Sequence, residues 1–171
     1  MARVFVSIGS NIDRYQHISC ALDALAAEFD GLLISPVYQS ESVGFEGDDF
    51  LNLVVAFTCE KDTGELSAWL RNIEDDNGRR RDGPKFSSRT LDIDILSYDQ
   101  LVGTIDGVQL PRDEICHNAF VLRPLVDIAA QSLHPEMKTS YQSLWDAYDK
   151  TRQKLWPVDF SWQGKKISSQ D

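Results

Sequence analysis

The chain has 171 residues, of which 42% are hydrophobic and 26% charged, and this composition predicts one globular domain with a buried core. Its formal net charge of −10 argues against general binding to nucleic acid or anionic membranes, but not against a small anionic substrate in a basic pocket. We expect a cytoplasmic protein without structural zinc, because there is no signal-peptide pattern, no bilayer-length apolar run and no CxxC motif among Cys20, Cys59 and Cys116.

Apolar periodicity predicts four strands and two long helices in the order β-α-β-β-α-β. After the first strand, Gly9-Ser10-Asn11 is a turn that provides Asn11 as a helix N-cap, and apolar residues then recur at helical spacing to about Phe29. Asp62 and Glu65 have the spacing of a capping box at the start of the second helix. The predicted strands cover residues 2–8, 32–39, 50–57 and 92–98.

The C-terminal third predicts smaller elements. A polar, hairpin-like region surrounds residues 103–107, a short helix follows around residues 120–128, and a last helix covers Tyr141–Tyr148. We expect one domain over residues 1–161 and a polar, frayed tail over residues 162–171. The element order predicts an α+β fold, a ferredoxin-like βαββαβ antiparallel sheet with helices on one face and a C-terminal helical extension.

Two aspartates lie two residues apart in the fourth predicted strand. Asp92 and Asp94 would share one face of that strand, about 7 Å apart, while the apolar residues between and beside them face the core. Paired carboxylates suit Mg²⁺, which takes one or two protein carboxylates together with substrate phosphates. The alternative is the solvent-facing edge of a half-buried strand.

A basic cluster precedes the aspartates. Arg79, Arg80, Arg81, Lys85 and Arg89 are five of the 17 basic residues. Guanidinium groups match phosphate oxygens, so the cluster favours a metal-bound polyphosphate beside the aspartates. The alternative is a solvated loop that balances local acidic residues.

An aromatic and an amide side chain share a face of the third predicted strand. Phe50 and Asn52 stand at positions i and i+2, where they could stack on and hydrogen-bond a planar heterocycle. Burial in the core is the alternative for Phe50, and Phe120 has the same ambiguity.

In order and spacing, these motifs resemble the 6-hydroxymethyl-7,8-dihydropterin pyrophosphokinase family of folate biosynthesis, over roughly residues 2–130. The resemblance is carried by Gly9-Ser10-Asn11, Tyr38, Phe50-Leu51-Asn52, Glu74, Gly78-Arg79-x-Arg81, Arg89-Thr90-Leu91-Asp92-Ile93-Asp94, Leu110-Pro111 and Ala119-Phe120-Val121-Leu122-x-Pro124-Leu125. It implies transfer of pyrophosphate from ATP to the pterin hydroxymethyl group, giving AMP, by a monomer whose partners are these two small molecules.

The resemblance also implies residue roles. Asp92 and Asp94 would hold two Mg²⁺ ions and, with Arg79 and Arg89, form the catalytic set. The pterin would be bound by Ser40, Val43, Phe50, Asn52 and Phe120. The nucleotide would be bound by Glu74, Arg79, Arg81, Lys85, Arg89 and Arg112.

Among the departures from the family pattern, two fall at positions whose usual residues face the nucleotide phosphates. Arg112 stands where the family usually has His, and Asn118 stands where it usually has Arg. A second hypothesis is therefore a pterin-binding paralogue with lost or altered nucleotide use. A third is an unrelated interaction module whose acidic strand is simply solvated.

Overall fold

The computed structural model describes residues 1–41, 49–78 and 90–170. None of the helices in these ranges is long and apolar enough to span a membrane. The helices are α1 (Arg14–Glu28), α2 (Thr63–Asp76), α3 (Glu114–His117), α4 (Ala119–Ala129) and α5 (Tyr141–Ala147). The strands are β1 (Ala2–Ser10), β2 (Leu33–Ile34), β3 (Tyr38–Ser40), β4 (Phe50–Cys59), β5 (Asp92–Tyr98), β6 (Gly103–Ile105), β7 (Val108–Leu110), β8 (Leu155–Pro157), β9 (Phe160–Trp162) and β10 (Lys165–Ser168).

The main sheet has the strand order β5-β1-β4-β3-β8, with β2 also paired to β4, and its paired strands are antiparallel. The α+β fold with an antiparallel sheet is therefore confirmed, and the strand order is the one expected for two interleaved βαβ units. The predicted second strand is divided into β2 and β3 around Pro36, which has no N–H to donate to a ladder. Between them, Val54 N donates to Ser35 Oγ at 2.9 Å.

Helices cover both faces of the sheet, instead of the one face that we expected. The face against α1 and α2 buries Val4, Val6, Ile8, Leu53, Val55, Phe57, Ile93 and Ile95. The opposite face packs Phe5, Val54, Ala56 and Leu96 against α3, α4 and α5. β4 lies between both layers, which explains its continuous apolar run, since a strand buried on two faces does not alternate.

Of the two predicted helix N-termini, that of α2 is confirmed and that of α1 is not. The capping box of α2 is confirmed, because Glu65 N donates to Asp62 Oδ1 at 2.8 Å and Asp62 N donates to Glu65 Oε1 at 3.3 Å. The N-cap at Asn11 is wrong. Asn11 is buried, and α1 begins after Asp13, whose φ of 45° turns the chain into the helix.

The C-terminal segment is ordered, so the expected frayed tail is wrong. β9 and β10 form a hairpin that crosses residue 161, and Trp162 Nε1 donates to Asp23 Oδ1 at 2.9 Å. Ser168 Oγ accepts from Val37 N at 2.8 Å and donates to Val37 O at 3.2 Å. Isolated apolar residues in a polar segment, such as Phe160, pack on the core although they produce no periodic pattern.

Candidate active site

The aspartate pair lies on β5 beside the end of β1. Asp94 is paired in register with Ser7 and Asp92 with Gly9, while Leu91, Ile93 and Ile95 point into the core. The alternation predicted from the sequence is therefore present. Both carboxylates lie on the sheet face that carries α3 and α4, and the Asp94 side chain is 22% exposed.

A buried glutamate braces the backbone between the two aspartates. Glu74, at the end of α2, is only 5% exposed, and its Oε2 accepts from Ile93 N at 2.8 Å. Since Ile93 separates Asp92 from Asp94, this bond holds the strand segment that sets the spacing of the pair. Glu74 also lines the cavity next to them.

Arg112 is the cation nearest to the pair among the described ion pairs. Its guanidinium lies 3.6 Å from Asp94 Oδ1 and 3.0 Å from Glu114 Oε1. Its backbone N donates to Leu96 O at 2.8 Å, which attaches it to β5. Burial raises the pKa of Asp94 well above its usual value, the Asp92 carboxylate raises it further, and Arg112 opposes both effects.

The donor chemistry fits a hard cation. The carboxylates of Asp92, Glu74 and Glu114 raise the pKa of Asp94, and the Arg112 guanidinium lowers it. The site therefore has an excess of acidic groups, which a bound divalent cation would neutralise. Across the described ranges no three or more His, Cys, Asp or Glu side chains converge on one metal position. A cation here would therefore complete its shell with substrate oxygens and water, as Mg²⁺ commonly does.

A cavity of about 400 Å³ adjoins the pair, in the size range of small-molecule sites. Its walls come from α2, from the edge strand β5 and from the β6–β7 hairpin, and Arg112 also lines it. The lining residues are Ser67, Leu70, Arg71, Glu74, Asp92, Ile93, Asp94, Ile95, Gly107, Val108, Gln109 and Arg112.

A second candidate binding surface, formed by Gly9, Phe50 and Asn52 and called here the recess above Gly9, lies across β1 from the aspartates. Gly9 is paired with Asp92 on one side and with Asn52 on the other. A Cβ at Gly9 would lie 3.3 Å from Asn52 Oδ1 and 3.8 Å from the Phe50 ring, so the absence of a side chain at Gly9 permits the close approach of the Asn52 amide. Sequence reasoning treated Gly9 only as part of a turn, although a glycine at a strand end often marks such a close approach.

The amide of Asn52 has a defined orientation. Its Nδ2 donates to Ser40 Oγ at 2.8 Å, and Oδ1 faces the space above Gly9. Three of the predicted pterin residues, Ser40, Phe50 and Asn52, are thus brought together on β3 and β4. Asn52 is buried, whereas Phe50 is partly exposed.

Phe120 lies in α4, which packs over this same sheet face. α4 is attached to β3 by Tyr38, whose hydroxyl donates to Asp127, and Arg123 pairs with Asp127 at 2.9 Å. Burial and the bond to Asp127 raise the pKa of Tyr38 to about 12. Phe120 is partly buried and stands next to the N-terminus of its helix.

Several predicted site residues lie outside the described residues. They are Val43, Arg79, Arg81, Lys85 and Arg89. Asn118, by contrast, is described, and its Oδ1 accepts from Gln153 Nε2 at 2.9 Å. Its amide therefore binds a side chain of the C-terminal segment.

Comparison with known proteins gives consistent results. A family model described as 7,8-dihydro-6-hydroxymethylpterin-pyrophosphokinase matches residues 5–130. The chain is similar to the 2-amino-4-hydroxy-6-hydroxymethyldihydropteridine pyrophosphokinase of Aquifex aeolicus, at 32% identity over 79% of this chain and 85% of that protein. The protein of the same name from Pseudomonas aeruginosa is 33% identical over 78% of this chain and 85% of that protein.

A solved structure has a similar fold. The wild-type HPPK-DHPS of Plasmodium falciparum, crystallised with SDX-DHP, superposes with a TM-score of 0.68 at 13% identity. The match covers 89% of this chain and 45% of the Plasmodium chain, so our chain spans less than half the length of that relative. At this identity the likeness shows the fold alone.

Proposed function

Because the chain belongs to the 7,8-dihydro-6-hydroxymethylpterin-pyrophosphokinase family, we propose that it is an ATP-dependent pyrophosphokinase of folate biosynthesis. It transfers pyrophosphate from ATP to the hydroxymethyl group of 6-hydroxymethyl-7,8-dihydropterin and releases AMP. The observation that carries the residue assignment is the position of Asp92 and Asp94. They lie between the cavity bounded by α2 and the recess above Gly9.

We assign the metal site to Asp92 and Asp94, with two Mg²⁺ ions. When bound, the ions neutralise the triphosphate and orient it for in-line displacement. The contribution of the chain is positional. The strand alternation aligns both carboxylates on one face, and Glu74 fixes the backbone between them through Ile93 N.

The nucleotide occupies the cavity between α2, β5 and the β6–β7 hairpin. Arg112 lines this cavity and lies 3.6 Å from Asp94, where a guanidinium can contact phosphate oxygens beside the metal site. Glu74 belongs to the same wall. Arg79, Arg81, Lys85 and Arg89 supply further positive charge to the triphosphate, with Arg79 and Arg89 acting on the transferred group.

The pterin occupies the recess above Gly9. Since Asn52 Nδ2 is bound to Ser40, Asn52 Oδ1 is left as an acceptor for the N–H edge of the heterocycle. Phe50 and Phe120 supply aromatic faces for stacking, and Val43 completes the lining. In this proposal the pterin lies over β1 and β4 and the nucleotide lies at the β5 edge, with the aspartates between them.

The reaction needs little covalent help from the protein. The pterin hydroxymethyl oxygen attacks the β-phosphorus of ATP, the bond from that phosphorus to the bridging α–β oxygen breaks, and AMP leaves. The hydroxyl proton passes to solvent. Positioning and charge neutralisation account for such transfers. We propose that the enzyme works as a cytoplasmic monomer.

The test is AMP release from Mg–ATP with the hydroxymethyl pterin present. Asp92→Asn and Asp94→Asn should each lower kcat by more than about a hundredfold, because each removes a charged ligand while keeping its shape. Asp99→Asn is the control, since Asp99 accepts from Arg3 N away from the cavity. Unchanged rates in both aspartate variants would overturn the mechanism.

The paralogue hypothesis predicts a different result. Calorimetric titration would then show pterin binding without binding of a Mg–ATP analogue, and wild-type protein would release no AMP.

A further inference from the structure

The C-terminal part of the chain contacts both elements that carry the proposed pterin residues. Residues 131–170 lie beyond the stretch that matches the family, which ends at residue 130. Within this part, residues 148–168 contact α4 and β3. We call residues 148–168 the strap.

The strap extends the sheet along β3. β8 pairs antiparallel with β3, so that Leu155 lies opposite Ser40 and Pro157 opposite Tyr38. Just before β3, Val158 N donates to Val37 O at 3.0 Å, and Ser168 Oγ binds both backbone groups of Val37. The strand that presents Ser40 to Asn52 is therefore held on its outer edge by the strap.

The strap also caps the N-terminus of α4. The first N–H groups of a helix have no partner within the helix, and the N-cap residue Asn118 makes no capping bond with its side chain. Gln153 Oε1 accepts from Ala119 N at 2.7 Å, and Gln153 Nε2 donates to Asn118 Oδ1. Nearby, the Tyr148 hydroxyl donates to His117 O at 2.8 Å.

These two sets of contacts are close together in the strap. Gln153 binds the residue before Phe120, and Leu155, two residues later, is paired with Ser40. Two extended residues span about 7 Å, so one short segment bridges the two elements. The bond from Tyr38 to Asp127 joins the same elements at the far end of α4, well away from Phe120.

We propose that the strap sets the spacing of the pterin recess, and that Gln153 is the positioning residue for Phe120. This inference rests on the proposed function, because it assigns Gln153 to the pterin side of that site. Gln153 touches no substrate. It acts through the first turn of α4, so its loss lets Phe120 shift from the position that stacks on the heterocycle.

Gln153→Met tests this because Met has a similar length and cannot form either hydrogen bond. We expect pterin binding to weaken roughly threefold to tenfold, the effect of a hydrogen bond, while binding of a Mg–ATP analogue changes less than about twofold. Gln153→Glu should restore pterin binding. It keeps the acceptor for Ala119 N, it adds a charge that a helix N-terminus favours, and the Asn118 amide can turn to donate to it.

The matched control is Gln142→Met. Gln142 belongs to α5, and its Nε2 donates to Asp146 Oδ1 within the same helix, so the side-chain bond lost in this control joins neither α4 nor β3. Both dissociation constants are measured by calorimetry, and thermal melts check that each variant is folded. If Gln153→Met unfolds, Gln153→Asn replaces it, since the shorter side chain keeps the amide but not the reach.

The outcomes separate the inference from the function on which it rests. Wild-type protein that binds no pterin contradicts the proposed function itself. If the wild type binds the pterin, and Gln153→Met and Gln142→Met bind it with equal affinity, only the role proposed for the strap is overturned. Equal weakening of both ligands in Gln153→Met also overturns it, because that is the result of general destabilisation.

Discussion

Asp106 connects the tip of the β6–β7 hairpin to the first turn of α2. Its Oδ2 accepts from Thr63 Oγ1 at 2.7 Å and from Gly64 N at 3.2 Å. Asp106 and Gly107 form the two-residue loop, with φ values of 53° and 80°, as hairpins of this length require. Because α2 and the hairpin are two walls of the cavity that we propose for the nucleotide, Asp106→Gly should lower the stability of the protein and widen that cavity.

The size of the effect follows from the bonds lost. Removing an acceptor at a helix N-terminus costs about 0.5–2 kcal/mol. Glycine also removes the backbone strain of an aspartate at positive φ, so the control variant must remove the same strain. Asp99 has a φ of 51°, and its carboxylate accepts only from Arg3 N among the side-chain bonds described. Relative to Asp99→Gly, we expect Asp106→Gly to lose about 1 kcal/mol, or roughly 2–4 °C in Tm.

Two measurements test this prediction. Thermal melts give the stability difference, and calorimetric titration with a non-hydrolysable ATP analogue and Mg²⁺ gives the nucleotide affinity. We expect the analogue to bind about twofold to fivefold more weakly to Asp106→Gly, and to bind Asp99→Gly as it binds wild type. Equal behaviour of the two variants in both measurements would refute the role assigned to the Asp106 carboxylate.

Three further predictions concern other parts of the molecule. Gly9→Val would place a Cβ 3.3 Å from Asn52 Oδ1, so the buried amide must shift; we expect a lower Tm and a KM for the pterin that is at least about tenfold higher, and an unchanged KM contradicts the recess. Arg112→Gln removes the cation that opposes the raised pKa of Asp94, so the acidic limb of the pH–rate profile should move to higher pH; a shift to lower pH contradicts this. Burial lowers the pKa of His134, so the unfolded state binds the proton more tightly and stability falls as the pH drops below about 6.5. His134→Asn keeps an acceptor for Glu136 N and Met137 N, and urea unfolding should show that this loss disappears.

The parts of the fold that could be predicted depend on local pattern. The bounds of β5 and the alternation of its aspartates follow from a period of two, and the capping box of α2 involves residues three apart. The prediction of an N-cap at Asn11 is wrong because this side chain is buried, and its burial depends on tertiary contacts that the local pattern does not report. The tail was mispredicted because Ser168 and Val37 interact across 131 positions, and no periodicity reports such a contact.

The candidate site shows the same division. Asp92, Asp94 and Asn52 belong to motifs that can be read within single strands, and the observed strands and register follow that pattern, while their binding roles stay predictions. Gly9, Asp106 and Gln153 were not predicted. Each acts through register or packing against a distant element, so its residue type alone carries no signal. The strap is the clearest case, because a single glutamine contributes through a helix cap that only the tertiary fold creates.

The identity of the products tests the central claim most directly. Phosphorus NMR of wild-type protein with Mg–ATP and 6-hydroxymethyl-7,8-dihydropterin distinguishes transfer of two phosphates from transfer of one. The account predicts AMP and a pterin diphosphate in equal amounts, and no AMP when the pterin is omitted. Formation of ADP and a pterin monophosphate, or the absence of any AMP, would contradict it.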